Sequence, residues 1–543
     1  MERIAGMSLP TPAKKITFIA FCLIVLYFAI QLVRYHYLLV TYPYPLESFE
    51  GAMLLTTDLL LDGENPFALE KMPAAMNVYG INYHLVVYPF AKMLGSTFIV
   101  HRAVSAFFLL ISCILFFVVI RCHGINLVYS MSAVLLLYAS LLYRYTPLAK
   151  PDSVGFFLFL LGVFIVYLMQ YSTSSLVISA ILGVAAFYTK PYFVLSVPYI
   201  ALYLFLFVSK KKSILYGTVA SLLFLITAFF VNGIFETYFL NTLFNHVNVA
   251  TNDIPHLQMQ LEFFLIFYSG IFLILLACLL LFVLDKSPDA PWRNLKFETL
   301  GNELTKRIDV FRFNKPFITM AFPLSVFCLI LSSLLFYFKL GRHHGNIMTY
   351  AYHLITPFFL IFVFKLIDSP LKNPNLVKRR ENYGYVLLMP CILLSLYLLY
   401  TSASYLKDSP QWLASEEWQQ IEQITQSHQN IMNSPVIVYL LVEQNKPVYD
   451  TGQTEFFQES HYPFEWLDAI FPSNSEISAR WDEYEASIQS SVANTEFDAI
   501  IMEAPEEYSF LQGFEDYYTR TDLLEICIFH TAQCTLLEVW EPK

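Results

Sequence analysis

Charge is scarce in this chain, and it is unevenly spread. Only 14% of the 543 residues are Asp, Glu, Lys or Arg, against 57% hydrophobic. That balance excludes an ordinary soluble protein of this size and fits a polytopic membrane protein. Basic residues nearly vanish after residue 401: the last 142 residues hold 5 Lys and Arg against 25 Asp and Glu, whereas the first 401 hold 28 against 18. An acidic unit repels phosphate, so nucleic acid is excluded as its partner. Also missing are a glycine-rich phosphate loop, a zinc-ligand spacing and a nucleophile elbow, which removes the chemistries those motifs carry. No internal repeat and no low-complexity tract interrupts the chain. Cysteine is sparse, eight in all. Six, at 22, 113, 122, 278, 328 and 391, sit in or beside apolar runs and read as packing residues. Cys527 and Cys534 lie on the two arms of an expected hairpin, where a cross-strand disulfide in an oxidising compartment and two free thiols both fit.

What is present is a succession of apolar runs long enough to cross about 30 Å of hydrocarbon. They fall near 16–38, 103–121, 126–143, 154–171, 176–189, 192–209, 213–232, 262–284, 316–338, 350–366 and 384–401, about eleven spans. The first follows Lys14 and Lys15 but is too long for a signal-peptide core and has no small-residue cleavage site after it, so it reads as a retained span. With the N-terminus inside, the inner segments hold 19 Lys and Arg and the outer ones 9, as the positive-inside rule asks. An odd number of spans then puts residues 402–543 outside. The expected layout is a multi-pass plasma-membrane (cell inner-membrane) protein, residues 1–401, with a cytoplasmic N-terminus and a small extracytoplasmic α/β domain at 402–543. In that domain "VIVYLLVE" and "FDAIIME" read as buried strands, 412–429 and 476–492 as amphipathic helices, and "LLEICIFHTAQCTLLEVW" as a terminal hairpin.

The stretch "YPYPLESFEGAMLLTTDLLLDGENPF", residues 42–67, carries Glu47, Glu50, Asp58, Asp62 and Glu64 and no Lys or Arg. Its "FEGAMLLTTDLLLDG" reads as a short amphipathic helix lying on the membrane and ended by Gly63. "INYHLVVYPFAKMLG" is apolar but short, an interfacial or re-entrant helix. Ionisable groups at the outer ends of the spans carry the functional signal, because charge at membrane depth is costly. They are Glu47, Glu50, Arg102, Arg144, Lys150, Asp152, Lys190, Arg342, His343 and His344. If they converge, they form a pocket with one acidic and one basic wall. Arg34, Lys92 and Lys339 read instead as side chains reaching for the headgroups. Lys150 and Asp152 in "PLAKPDS" and Lys190 in "YTKPY" stand beside prolines that stiffen their turns. For Asp152, an ion pair with Lys150 or a helix cap with Ser153 also fits. Glu47 and Glu50, three apart, share a face if that turn is helical, and their mutual repulsion suits one as a base; an acid cluster favouring a helix N-terminus fits as well.

An acidic pair after the first span, then "DGENPF", then "YGINYHLVVYPFAKMLG", then an arginine opening the next span, resembles the opening of the GT-C polytopic membrane glycosyltransferases, the family 39 type and its bacterial relatives. The matching positions are Glu47 and Glu50, Gly63 to Phe67, Tyr83 to Gly95, and Arg102. "LAKPDS", "YTKPY" and "GRHHGNIMTYAYHLITPF" resemble later loops of that group. Two departures stand out: the acids are three apart rather than adjacent, and "NYH" replaces a double proline. The resemblance implies a glycosyltransferase that moves a hexosyl or pentosyl group from a polyprenyl-phosphate-linked sugar donor to a lipid or glycan acceptor at the outer membrane face. It implies an acid of this loop as general base and cations around the donor phosphate; Glu50, which precedes the small Gly51 and begins the expected surface helix, is the expected base, supported by Glu47 and Asp152, with Lys150, Lys190, Arg342, Arg102, His343 and His344 around the phosphate. No cofactor is required by the residues, which allow a divalent metal. Membrane lipids surround such a chain. A lipid or glycan transporter or flippase, and a non-catalytic cell-envelope glycan assembly factor, are the alternatives.

Overall fold

A computed structural model describes residues 12–122, 148–244, 416–458, 460–462, 470–528 and 533–543, with isolated positions at 127, 130, 131, 134, 137, 138, 141 and 467. The apolar run after Lys15 forms α1, Pro12–Thr41. Glu50–Leu61 is α2, Ile81–Leu94 α3 and Phe98–Cys122 α4. Asp152–Leu168 is α5 and Thr173–Thr189 α6. The expected span at 192–209 is a composite: a 3-10 turn at Pro191–Leu195, then α7, Ser196–Tyr203, then a π-turn at Leu204–Val208. Pro191 and Pro198 lack the N–H that a regular ladder needs, and the irregular turns absorb this. Lys210–Ile234 is α8. Among the described residues, three helical stretches are long and apolar enough to cross a membrane, 98–122, 191–208 and 210–234, with 152–168 and 173–189 as shorter apolar helices. The expected spans at 262–284, 316–338, 350–366 and 384–401 lie outside the described residues.

The two short helices expected at 50–63 and 81–95 form as the sequence predicts, but α2 is not a bare surface helix. Gly63 at φ +77 does end it, with the Gly63 and Glu64 amides donating back to Leu60 and Leu59. Gly51 and Leu54 are buried against a helix from the C-terminal unit, and Ala52 and Met53 against Tyr83, Val87 and Val100 on the other side.

That unit is a four-stranded mixed sheet with flanking helices. Helix α9 spans Glu416–Ser427, β1 Ile431–Asn433, α10 Val438–Glu443, α11 Thr454–Gln458, α12 Asn474–Ala493, β2 Ala499–Met502, β3 Tyr518–Ile528 and β4 Gln533–Pro542. Strand order is β1-β2-β4-β3, with β1 and β2 parallel and the rest antiparallel. "VIVYLLVE" is not a strand: Pro435–Ile437 makes a 3-10 turn and Val438–Glu443 a helix, while the strand is the preceding "IMN". Pro435 cannot donate to a ladder, and a fully buried apolar run has no alternation to tell strand from helix. The terminal hairpin forms as expected, pairing Cys527 with Cys534 in a disulfide. Ser473 opens α12 with a capping box to Glu476.

Both faces of the sheet share their core with loops of the N-terminal part. On one, Trp481, Tyr484, Ile500 and Met502 cluster with Met72, Met76, Val78 and Leu240. On the other, Trp418, Ile431, Val436 and Ile501 cluster with Leu54, Phe98 and Ala149. Arg480 tightens the seam, donating from Nε to the Met72 carbonyl at 2.7 Å and from Nη2 to the Glu70 carbonyl at 2.5 Å. The C-terminal unit is therefore anchored on the loops that carry the charged residues.

Candidate functional site

The acids and cations from four loops do converge, but they interleave as three ion pairs instead of forming two walls of opposite sign. The first pair is closed. Arg102, in the opening turn of α4, and Glu50, the first residue of α2, are both completely buried. Arg102 donates from Nε to Glu50 Oε1 at 3.0 Å and from Nη2 to Oε2 at 2.6 Å. Its other N–H groups reach the carbonyls of Leu39, Tyr42 and Tyr44. Glu50 also accepts the Ala149 amide at 2.6 Å and the Leu46 amide at 2.7 Å. All five guanidinium donors and the carboxylate's lone-pair sites are thus occupied. The Phe98 ring lies 4.5 Å from the guanidinium carbon. Burial opposes the Glu50 charge, yet Arg102 and the two amides outweigh it and hold the carboxyl below its ordinary value. Glu50 has no free direction toward a substrate. It clamps the end of α1, the Pro45–Glu50 turn and the 148–150 loop together. Arg102 likewise has no donor left for a phosphate.

The second pair opens further. Glu47 Oε1 lies 2.6 Å from Lys150 Nζ, and its Oε2 accepts the Phe49 amide at 2.8 Å. The two side chains retain 9% and 14% of their exposure. Burial alone lowers an ammonium's pKa, but the Glu47 carboxylate outweighs it and holds Lys150 above the ordinary lysine range. Lys150 Nζ is 5.4 Å from the Phe49 ring centre and 5.5 Å from that of Tyr79. Its loop is fixed by the Glu50–Ala149 bond and by Ser105, whose hydroxyl donates to the Lys150 carbonyl.

The third pair joins Lys190, just past α6, to Asp152, the first residue of α5. Lys190 Nζ donates to Asp152 Oδ1 at 2.9 Å, with 13% and 16% of the side chains exposed. Asp152 therefore meets Lys190 directly, and no side-chain cap opens α5. Lys190 stands 5.2 Å from the Tyr79 ring centre, so that ring is flanked by both lysines. Two such cation–π contacts contribute about 0.5–2 kcal/mol each.

Side chains that the sequence did not single out hold this geometry. Asn82 donates to the Ala185 carbonyl and the Thr189 hydroxyl, hooking α3 onto the end of α6. Gly80 donates to the Thr189 carbonyl, and a Cβ there would sit 2.0 Å from the Tyr188 carbonyl oxygen, so only glycine allows this approach. Asn77 donates to Thr56 Oγ1 and to His84 Nε2, and accepts the Tyr79 amide. The His84 Nδ1–H then faces the Thr57 hydroxyl at 2.9 Å. Burial lowers the His84 pKa to about 3, so it is neutral and structural here. A polar Asn and His inside "YGINYHLVVYPF" was the available signal for this network. Phe49 and Tyr79 carry none in a chain that is 17% aromatic.

Glu47, Glu50, Arg102, Lys150, Asp152 and Lys190 are thus brought together. Arg144, Arg342, His343 and His344 lie outside the described residues. Among the described residues no group of three or more His, Cys, Asp or Glu is placed to hold a metal ion.

No family model and no curated protein matches the chain. Two solved structures are similar to it. ArnT from Cupriavidus metallidurans in the apo state is 11% identical, with a TM-score of 0.37, and ArnT from the same organism bound to undecaprenyl phosphate is 12% identical, with a TM-score of 0.45. Each comparison covers 95% of this chain and 97% of the other. Both likenesses are loose.

Proposed function

We propose that the chain is a membrane glycosyltransferase of the GT-C kind, moving a sugar from a polyprenyl-phosphate donor to a lipid or glycan acceptor at the outer face. The observation that carries this reading is the pair of partly open ion pairs, Glu47–Lys150 and Asp152–Lys190, gathered around Tyr79 beside the closed Glu50–Arg102 pair. Two ammonium groups near one aromatic ring suit a phosphate monoanion or dianion, which attracts each lysine as a point charge. Each lysine already rests on a carboxylate, so the donor phosphate takes its place on Lys150 and frees Glu47. Glu47 then accepts the proton of the acceptor hydroxyl while the acceptor oxygen bonds to the anomeric carbon. The bond from that carbon to the phosphate oxygen breaks, and polyprenyl phosphate leaves on Lys150 and Lys190.

In this reading Glu47 is the base and Glu50 a positioning residue, the reverse of the roles expected from the sequence, because the four donors on Glu50 leave it no room for a substrate proton. Asp152 orients Lys190. Arg342, His343 and His344 remain proposed contributors to the basic side of the site. The domain division at 401/402 and the outer location of the site belong to the same proposal.

The test is binding of a long-chain polyprenyl phosphate to the purified chain in detergent. Saturable binding that drops about tenfold or more in Lys150→Ala and in Lys190→Ala supports the reading, and equal affinity in all three proteins overturns it. A transporter would bind similarly but form no glycosylated product when supplied with polyprenyl-phosphate sugars.

A further inference from the structure

The Asp450–Thr454 loop of the C-terminal unit lies against Phe49 and against the 76–78 backbone that leads into Tyr79. From one side, Thr451 Oγ1 donates to the Met76 carbonyl at 2.8 Å, and Gln453 Oε1 accepts the Val78 amide at 2.6 Å. These bonds bracket Asn77, whose own Oδ1 accepts the Tyr79 amide. The turn that presents Tyr79 is therefore held by the C-terminal unit from without and by Thr56 and His84 from within. From the other side, Gly452 lies against Phe49. At φ +77, a Cβ at Gly452 would meet Phe49 Cε1 at 3.0 Å and Pro435 at 2.8 Å. Asp450 accepts the Gly452 amide and sets this tight turn. Thr451, Gln453 and Thr454 are all buried. The loop follows α10 and lies near the carboxyl end of β1, where Asn433 accepts the amides of Tyr449 and Asp450. Open α/β sheets commonly place ligands at the carboxyl ends of their strands. Here the chain's own 76–78 segment packs there.

We infer that Thr451 and Gln453 are positioning residues of the transfer site: through the Met76–Tyr79 turn they hold Tyr79 against Lys150 and Lys190, so the C-terminal unit sets the geometry of the lysine pair. The inference rests on the reading of Lys150 and Lys190 as phosphate ligands. It gives the C-terminal unit a part in the reaction without a catalytic group of its own.

The full chain, purified in detergent, tests this in three variants. Gln453→Met keeps the length and loses the acceptor. Thr451→Val keeps the shape and loses the donor. Thr451→Ser restores the donor. Acylation of each lysine by an amine-reactive ester at pH 8 is followed site by site by mass spectrometry, with exposed Lys211 as the reference. Lys150 labelling is expected to rise roughly fivefold to tenfold in Gln453→Met and Thr451→Val, the factor that one lost hydrogen bond supplies, and to stay at the wild-type rate in Thr451→Ser. Polyprenyl-phosphate affinity is expected to fall in step. Unchanged Lys150 protection in both deleting variants overturns the inference. So does an equal rise at Lys446, whose ammonium bonds to the Thr425 and His428 carbonyls, since that marks general loosening. If the labelling pattern appears but the wild type binds no polyprenyl phosphate, the support of Lys150 stands and the functional reading fails.

Discussion

Glu47 and Glu50 stand three residues apart in one turn and have opposite fates. Glu50 is sealed by four donors, whereas Glu47 meets one lysine and one backbone amide and keeps a little exposure. Removing one partner of a fully buried pair leaves an uncompensated charge, a loss of about 3–5 kcal/mol. Arg102→Met is therefore expected to lower the thermal midpoint sharply in detergent, whatever its effect on activity. The pH dependence follows from the sign of the Glu50 shift. Its folded pKa lies below the ordinary 4.5, so its contribution is complete above that value and is lost as pH falls through the lower folded value. Thermal scans from pH 7 down to pH 3 should show a steep acid loss in the wild type and a shallower one in Glu50→Gln. Asp58 shifts the other way. Burial, with Asp62 nearby, pushes it up to about 6 despite a Ser96 hydrogen bond, so its contribution is complete below the ordinary 3.8 and is lost as pH rises to about 6. Asp58→Asn should raise the midpoint at pH 7.5 and much less at pH 3.5. The side chain is partly exposed, and screening limits the gain to about 1 kcal/mol or less.

At the scale of elements, α3 docks onto the end of α6 through Gly80 and Asn82, and this approach places Tyr79 beside Lys190. Gly80→Ala puts a methyl group into two backbone carbonyls that cannot swing aside. It should cost about 1–3 kcal/mol and reduce polyprenyl-phosphate binding, measured by thermal unfolding and ligand titration on the same sample. Much of this arrangement was legible in the sequence. The outer ends of apolar runs pointed to Glu47, Arg102, Lys150, Asp152 and Lys190, because charge there needs a reason. Which acid meets which cation was not legible: Asp152 is two residues from Lys150 but pairs with Lys190, and Lys150 pairs with Glu47, because those contacts follow from how α2, α4, α5 and α6 meet. The misread strand at 436–443 has a related cause. An apolar run buried on every side has no periodicity, and only Pro435 hinted that it would not join the ladder.

Among the described residues an acidic α/β unit packs on the charged loops, with a shared core between them. If that face lies outside, as the charge balance of the loops predicts, the Cys527–Cys534 disulfide forms in an oxidising compartment. Thiol labelling of intact cells should then find both cysteines blocked until a reductant is added. In the proposed reaction sugar leaves a polyprenyl-phosphate donor at Lys150 and Lys190 with Glu47 taking the acceptor proton. Its most direct test is transfer of label from a panel of polyprenyl-phosphate sugars to membrane acceptors, comparing wild type, Glu47→Gln and Glu50→Gln. Labelled product is expected with the wild type. Glu47→Gln is expected to lose about 10²–10⁴ in turnover with donor binding retained. Glu50→Gln is expected to be less stable, but with turnover per folded molecule well above that of Glu47→Gln. Normal transfer by Glu47→Gln, or no transfer by the wild type from any such donor, would overturn this assignment.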